Sequence, residues 1–582
     1  MRRRSVLILA AVGLAAIGVG MAPWTLADDH ATRQISKYVN ALTGLRLEVR
    51  GAVTLAVLPA PRIKFDDIVL STADGTTKVV ARQLRGQLQL APLLSGRFVL
   101  ADTALVDPVA RAGDARISGE RVWNGLLAQF AGIYRRASSG APHLNRLTVI
   151  GGTVTDAGGE RPLAGNINAT LAWSSPDAAL SLSGNAIFNG QPVQFSLGGL
   201  TPRAIAGGGD TDLTVRLASE PLNIDLRGAL TDGGRRFDGK TRLTAASISR
   251  MDEWLDLRLP LTGVATALAI DATCSLTARG MALTSATVDI NDSVLEGALS
   301  LRGVENGWSL GGTLATDDLD LSQAPGLARQ LGAVMTSPER WRAWDIDLRV
   351  SAGRLQLPDA PTVSNAAASL LLRNGRLEAV LGMAETLGGR VKGRMTIIPA
   401  SSNGVEIRAQ ASGDSLAASQ LSTWLTGSER ISGNLSGAFT LETRGATMAE
   451  LRLRMDGRGH VQTGEGELSG ISLTDLASQK NGPVELARMR GKTRFSSLRA
   501  NWSLTGGHVM IDEAQIQGAA GNLRLAGSMN ADGVLALDGD LKTGAGPEAA
   551  KQVARFQLSG PWQAPIITPR PPAADSAEPR SP

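Results

Sequence analysis

Leu84-Arg85-Gly86-Gln87-Leu88-Gln89-Leu90 decides the fold class, because its even-numbered positions carry Leu or Gly and its odd-numbered ones Arg or Gln. A strand turns successive side chains to opposite faces, so period two writes one apolar face and one wet face. A helix of the same length would place its apolar residues three and four apart. The alternation returns at Leu45-Arg46-Leu47-Glu48-Val49-Arg50, Leu213-Thr-Val-Arg-Leu217 and Leu451-Arg-Leu-Arg-Met455. Hairpin-turn dipeptides punctuate the chain at Asp74-Gly75, Asn189-Gly190, Asp232-Gly233, Asn374-Gly375 and Asp532-Gly533. The reading is a mainly β protein, an elongated curled antiparallel β-sheet of groove-like form with a few short amphipathic helices. Strands of ~12 residues with their turns would number about 35, and at ~4.8 Å each a continuous sheet would reach ~170 Å at most.

Helical spacing appears in few places. Residues 28–43 carry Ile35, Tyr38, Val39 and Leu42 on one face, with Gly44 as a stop. Arg121–Ala137, Ser247–Leu257, Gln323–Met335 and Leu416–Leu425 read as further helices, and their Trp residues as core plugs packed on a sheet. Rough self-similarity, as in Val294-Leu-Glu-Gly-Ala-Leu-Ser-Leu and Leu387-Gly-Gly-Arg-Val-Lys-Gly-Arg-Met, has no fixed period, which argues against a propeller or a leucine-rich solenoid.

Ahead of all this, Arg2-Arg3-Arg4 precedes an uncharged run from Val6 to Trp24. That is close to the ~20 residues a helix needs to cross a bilayer. Cations before it and Asp28-Asp29 after it predict one N-terminal transmembrane helix, N-terminus cytoplasmic, with the bulk in the periplasm. A cleaved signal peptide ending near Thr25-Leu26-Ala27 is the alternative. The expected localisation is therefore the inner membrane, single-pass.

Composition narrows the function. A net charge of +5 without a cation cluster beyond Arg2–Arg4 predicts no nucleic-acid partner. The single Cys274 excludes an internal disulfide framework. His30, His143, His460 and His508 lack metal-ligand spacing, so neither metal nor cofactor is expected. Gly457-Arg-Gly-His460 and Gly464-Glu-Gly-Glu467 read as β-turns, and the acid pairs Asp66-Asp67 and Asp317-Asp318 as turn or strand-end charges with no partner base. No catalytic residue is named and the chain reads as no enzyme.

Two stretches resemble the AsmA family of envelope proteins. One runs from Leu42-Thr-Gly-Leu-Arg-Leu-Glu-Val-Arg-Gly-Ala-Val through Leu58-Pro-Ala-Pro-Arg-Ile-Lys-Phe and Leu90-Ala-Pro-Leu-Leu-Ser-Gly-Arg-Phe to Leu105-Val-Asp-Pro. The other comprises Gly464-Glu-Gly-Glu-Leu-Ser-Gly-Ile-Ser-Leu, Gly491-Lys-Thr-Arg-Phe, Asn501-Trp-Ser-Leu-Thr-Gly-Gly-His-Val and Leu558-Ser-Gly-Pro-Trp-Gln-Ala-Pro-Ile-Ile. The resemblance implies a long β-groove related to bridge-like lipid transfer proteins, with phospholipid acyl chains, the inner membrane and envelope proteins as partners. It implies phospholipid transport or outer-membrane biogenesis, or else a non-catalytic scaffold for outer-membrane protein assembly. The expected organisation is an anchor at 1–27, an AsmA-like N-terminal region at 28–112, a central β-rich region at 113–400, an AsmA-like C-terminal region at 401–569 and a disordered tail at 570–582. Alternation alone favours a filled sandwich, whose core it builds, over an open groove. A pore-forming barrel is disfavoured by the anchor, the helices and a count of only two Tyr for aromatic girdles.

Overall fold

The computed structural model describes residues 24–25, 29–72, 78–94, 99–111 and 145–570 except 157, 176, 258, 260–265, 292, 305–306, 323–341, 401–403, 479–481, 487–489, 531, 544–551 and 563, together with 128, 131–132, 134–135 and 138. The expected transmembrane run up to Pro23, the Gln323–Met335 helix and residues 571–582 lie outside them, as does most of Arg121–Ala137, although Ala131, Gly132, Tyr134 and Arg135 are helical. The chain divides into two compact units. One holds residues up to Leu257 with 266–291 and 300–302; the other holds 258–265, 292–299 and everything from Gly303.

Thirty-three strands occupy the described residues, close to the expected number. In the first unit a helix, Asp29–Thr43, lies against strands Arg46–Val49, Val53–Ala56, Arg62–Ser71 and Lys78–Leu88. Its Ile35, Tyr38 and Val39 pack into a core with Leu47, Ile63, Phe65, Ile68, Leu84 and Leu100. Tyr38 donates its hydroxyl to the Leu100 carbonyl at 2.9 Å, which satisfies the one polar atom this aromatic brings inside.

From Leu100–Arg111 the strands of this unit follow one another, Arg146–Thr155, Pro162–Ala172, Leu180–Phe188 and onward to Gly280–Ile290. The second unit repeats the scheme from Gly307–Asp320 to Ile566–Arg570. Asn189-Gly190 and Asn374-Gly375 both adopt positive φ, 44° and 80° and then 51° and 76°, as a type I′ hairpin turn requires.

The expected uniform antiparallel pairing fails at two joins. Leu100–Arg111 runs parallel to Arg146–Thr155, and Gly307–Asp320 parallel to Trp344–Gln356. A parallel pair cannot close through a two-residue turn and needs a crossover of a dozen residues or more. Those crossovers are the segments where the sequence switches to helical spacing, Arg121–Ala137 and Gln323–Met335.

Five further expectations are corrected. Trp24 and Thr25, taken as the end of the anchor, form a short strand antiparallel to Thr54 and Leu55. Leu451-Arg-Leu-Arg-Met455 is no strand: Met448–Leu453 is a helix. Thr447 caps it by accepting from the Glu450 amide while Glu450 Oε2 accepts from the Ala446 amide at 3.2 Å. That reciprocal cap satisfies orphan amides at the helix start and outweighs five residues of alternation. Gly457–His460 lies inside strand Asp456–Thr463 and makes no turn. Asp66-Asp67 sits mid-strand, where Asp67 takes φ 48° and Phe65 and Ile68, three residues apart, are both buried. Arg570, placed in the tail, closes the last strand.

The helices Ile248–Leu255 and Ala418–Thr426 stand where expected. Trp254 is a buried plug, stacked edge-on against Phe188 and donating its indole N–H to the Phe188 carbonyl at 2.7 Å. Trp424 is not: it is half exposed, its indole N–H reaching the Asp359 carbonyl at 3.0 Å.

Burial pushes the Tyr38 phenol from 10.0 up to about 12. The unfolded chain therefore releases this proton before the folded one, so the associated stability is intact below pH 10 and is lost as pH rises towards 12. Denaturant titrations should show that loss in the wild type and a smaller one in Tyr38→Phe, which should itself cost about 1 kcal/mol at neutral pH through the unpaired Leu100 carbonyl. Thr447→Ala should cost about 1 kcal/mol in the same measurement.

Candidate functional site

Residues directly opposite across paired strands point to the same face of a sheet. Followed strand to strand through the second unit, the register yields one row: Leu314, Val350, Ala368, Leu381, Gly393, Ala411 and Phe439. It continues through Gly459, Trp502, Ile511, Gly527, Leu537, Leu558 and Ile567. Every member is apolar or glycine. The adjacent row, one residue along each strand and on the other face, runs Arg349, Ser369, Val380, Arg394, Gln410, Thr440, Arg458, Ser503 and Met510, polar except at Val380 and Met510.

The first unit is built the same way. Leu105, Val149, Ala169, Gly184, Phe195, Leu217, Ile224, Leu243, Ile270 and Val288 form one registered row. On the other face lie Thr148, Thr170, Ser183, Ser196, Arg216, Asp225, Arg242 and Asp271. Ion pairs join that row, Arg216 to Asp225 at 3.1 Å and Arg242 to Asp271 at 2.8 Å. Exposed pairs of this kind contribute about 0–1 kcal/mol each and serve mainly to keep the face wet.

Bulges preserve the faces over this distance. A strand slipped by one residue would turn its whole apolar set outward. Register shifts are absorbed at Asn166, Ser285, Asn365 and Ser415, all at φ between 47° and 57°, so that alternation resumes on the correct side.

In the second unit part of the apolar face is filled and part is open. Towards the C-terminus the pair Gly466–Ser469 and Lys492–Phe495 and the helix Leu473–Ser478 place Leu468, Leu473, Leu476 and Phe495 against Ile516, Leu523, Leu541, Phe556 and Ile567. Towards Leu314 two open cavities, about 540 and 380 Å³, share Val350, Ala368, Ser369 and Val380. Gly297, Leu314 and Gly382 line the first with Glu296 and Arg349 at its border, and Leu381, Gly393, Met395, Ala411 and Phe439 the second with Arg394 and Gln410. Such volumes match ligand pockets of ~300–1,000 Å³. Phe439 remains 38% exposed. Small residues keep the floor shallow: with Gly393 between Leu381 and Ala411, no side chain rises there to close the trough.

Many charges lie on the opposite face, although Glu296 and Arg349 border the first cavity and Arg394 the second. Glu406 is held below the usual carboxylate range first by its hydrogen bond from Arg444, then by Arg408, at 2.9 and 2.7 Å. Asp318, one of the paired acids, meets Arg354 at 3.2 Å on the same face as Leu314 and Val350, four residues further along their strands. His460 belongs to the polar row between Ala438 and Asn501. Cys274 is buried and unpaired, its thiol pushed up by burial, which makes it a poor nucleophile. No group of three His, Cys, Asp or Glu converges among the described residues.

Residues 321–513 match the model of the AsmA family. The match supports an AsmA-family assignment. It contains the row from Val350 to Ile511 and hence nearly the whole open trough. It overlaps the C-terminal resemblance from Gly464 to Val509 and the middle of the chain, where the sequence agreed in texture more than in motif. No curated protein matches the chain. The trough residues were not individually legible beforehand, because Gly and Ala carry no chemical signature. The usable signal was parity: Gly389, Val391, Gly393, Met395 and Ile397 share one face, Arg390, Lys392 and Arg394 the other.

At Gly459 an added Cβ would meet the Trp502 ring at 2.4 Å. Gly459→Val should therefore displace Trp502, lowering stability by about 1–3 kcal/mol with an altered Trp emission spectrum. Gly393→Ala, whose added carbon would lie 3.3 Å from the Gln410 carbonyl, should cost less by the same denaturation assay.

Proposed function

We propose that this chain is an inner-membrane-anchored envelope protein that shelters phospholipid acyl chains on its aliphatic sheet face and so assists phospholipid transport or outer-membrane biogenesis. The AsmA-family match points to an envelope-related function, and the uncovered stretch of the apolar row in the second unit carries the reading from there to lipid. Exposing hydrocarbon to water costs ~0.8 kcal/mol per CH₂, so a sixteen-carbon chain in water costs about 12 kcal/mol. A trough of Leu, Val, Ala and Gly removes most of that cost without a directional contact. A chain can then slide along it, while the headgroup stays in water at the rim.

The arrangement also favours passage over storage. A tight pocket encloses its ligand and fixes it with a few placed polar groups; here the cavities are open, and the charged residues that border them, Glu296, Arg349 and Arg394, stand outside the registered apolar row. Among the described residues no helix is long and apolar enough to cross a membrane, and the apolar run Val6–Pro23 lies outside them. Anchoring therefore rests on the sequence of that run and the cations before it.

Full-length protein extracted in mild detergent should carry phospholipid, read by mass spectrometry of the bound fraction. Ala368→Trp, which raises a large ring from the exposed floor shared by both cavities, should cut that amount several-fold and leave thermal unfolding within the range of neutral surface changes. Wild-type protein free of phospholipid would reject the proposal in favour of a scaffold role.

A further inference from the structure

A second hollow lies in the first unit, on the face opposite the helix-covered core. Its volume is about 680 Å³, and Arg62, Lys64, Arg85 and Arg146 line it with Asp102 as the only acid. Strand pairing brings these residues together from distant sequence positions. Arg62 pairs with Gln87, Gln87 with Asp102, and Asp102 with Arg146, which sets two guanidinium groups in one row. In the neighbouring positions Lys64 stands directly opposite Arg85. Like charges directly opposed across a sheet are unfavourable. Lys64 is relieved by Asp66 at 3.0 Å, while among the described residues Arg85 reaches the neutral amide oxygen of Gln83, at 2.7 Å. Three guanidinium groups thus face a single carboxylate, and the hollow keeps an excess of positive charge that an anion would neutralise.

We infer that this hollow binds the phosphate of an anionic lipid headgroup. Guanidinium groups suit phosphate because their planar fork donates two parallel charge-assisted hydrogen bonds. The lipid source follows from position. Thr54 lines the hollow and pairs with Thr25, and the preceding residue, Trp24, ends the uncharged run that begins at Val6. Where that run enters a membrane the hollow stands beside its exit, at the depth of the headgroups; the inference rests on that part of the proposed function. A headgroup held there stays wet, as the polar lining requires. It would orient the first unit on the bilayer and raise the local concentration of lipid at the chain's membrane-proximal end.

The test uses the full chain reconstituted in vesicles of equal phosphatidylglycerol and phosphatidylcholine, re-extracted in neutral detergent and read by native mass spectrometry. The wild type should retain phosphatidylglycerol about tenfold over phosphatidylcholine, a preference of about 1.4 kcal/mol. R62Q/R85Q/R146Q should bring the ratio close to one, and R62K/R85K/R146K should keep most of it, since these exposed changes leave the core untouched. An unchanged ratio in the glutamine variant, or no preference in the wild type, overturns the site. Displacement of phosphatidylglycerol by an equimolar amount of inorganic phosphate assigns the hollow to free phosphate and overturns the lipid source. Ala368→Trp separates the two proposals: failure of the trough leaves its total lipid at the wild-type level, whereas failure of the hollow appears only in the ratio.

Discussion

Everything described depends on the pleat. Paired strands hold opposed side chains on one face, and each hairpin passes that assignment to the next strand without loss. A row of apolar residues can thereby extend over fourteen strands, although no two of its members are close in sequence. The interaction is weak at any one position and strict in its sum, because a slip of one residue exposes a whole strand. Bulges with Asn or Ser in the left-handed region are the devices that keep the count correct.

The same pleat produces both surfaces to which we assign roles. In the second unit the uncovered apolar face offers hydrocarbon a place out of water, and the polar face keeps the strand row soluble through Arg, Gln, Ser and Thr. In the first unit the core helix Asp29–Thr43 covers the apolar face, and the function we infer moves to the reverse side, where pairing concentrates Arg62, Lys64, Arg85 and Arg146. One pattern thus serves an acyl chain on one face and a phosphate on the other. Neither surface needs a reactive residue.

Legibility in the sequence followed the range of the interaction. Leu84–Leu88 and Leu213–Leu217 show their faces within a few residues, and Asn189-Gly190 announces its turn in two. Leu90, read with the same strand as Leu84, instead opens the helix Leu90–Leu94 and is exposed. Leu451–Met455 was misleading because the cap that made it helical involves Ala446, Thr447 and Glu450, outside the alternating window. Trp254 and Trp424 sit in similar short helices, yet one is buried beneath Phe188 and the other meets solvent. A helical stripe says which residues share a side, and says nothing of what stands opposite.

By itself the sequence determined the β class, the positions of the tight turns, the absence of a disulfide framework and an apolar run behind three arginines. These are properties of covalent geometry and local composition, settled within a few residues. Only the tertiary structure decided which strands are neighbours, where two of them turn parallel, which part of the apolar face is plugged and which is open, and that four scattered cations line one hollow. Those outcomes depend on contacts between residues tens of positions apart, whose partners no local pattern names.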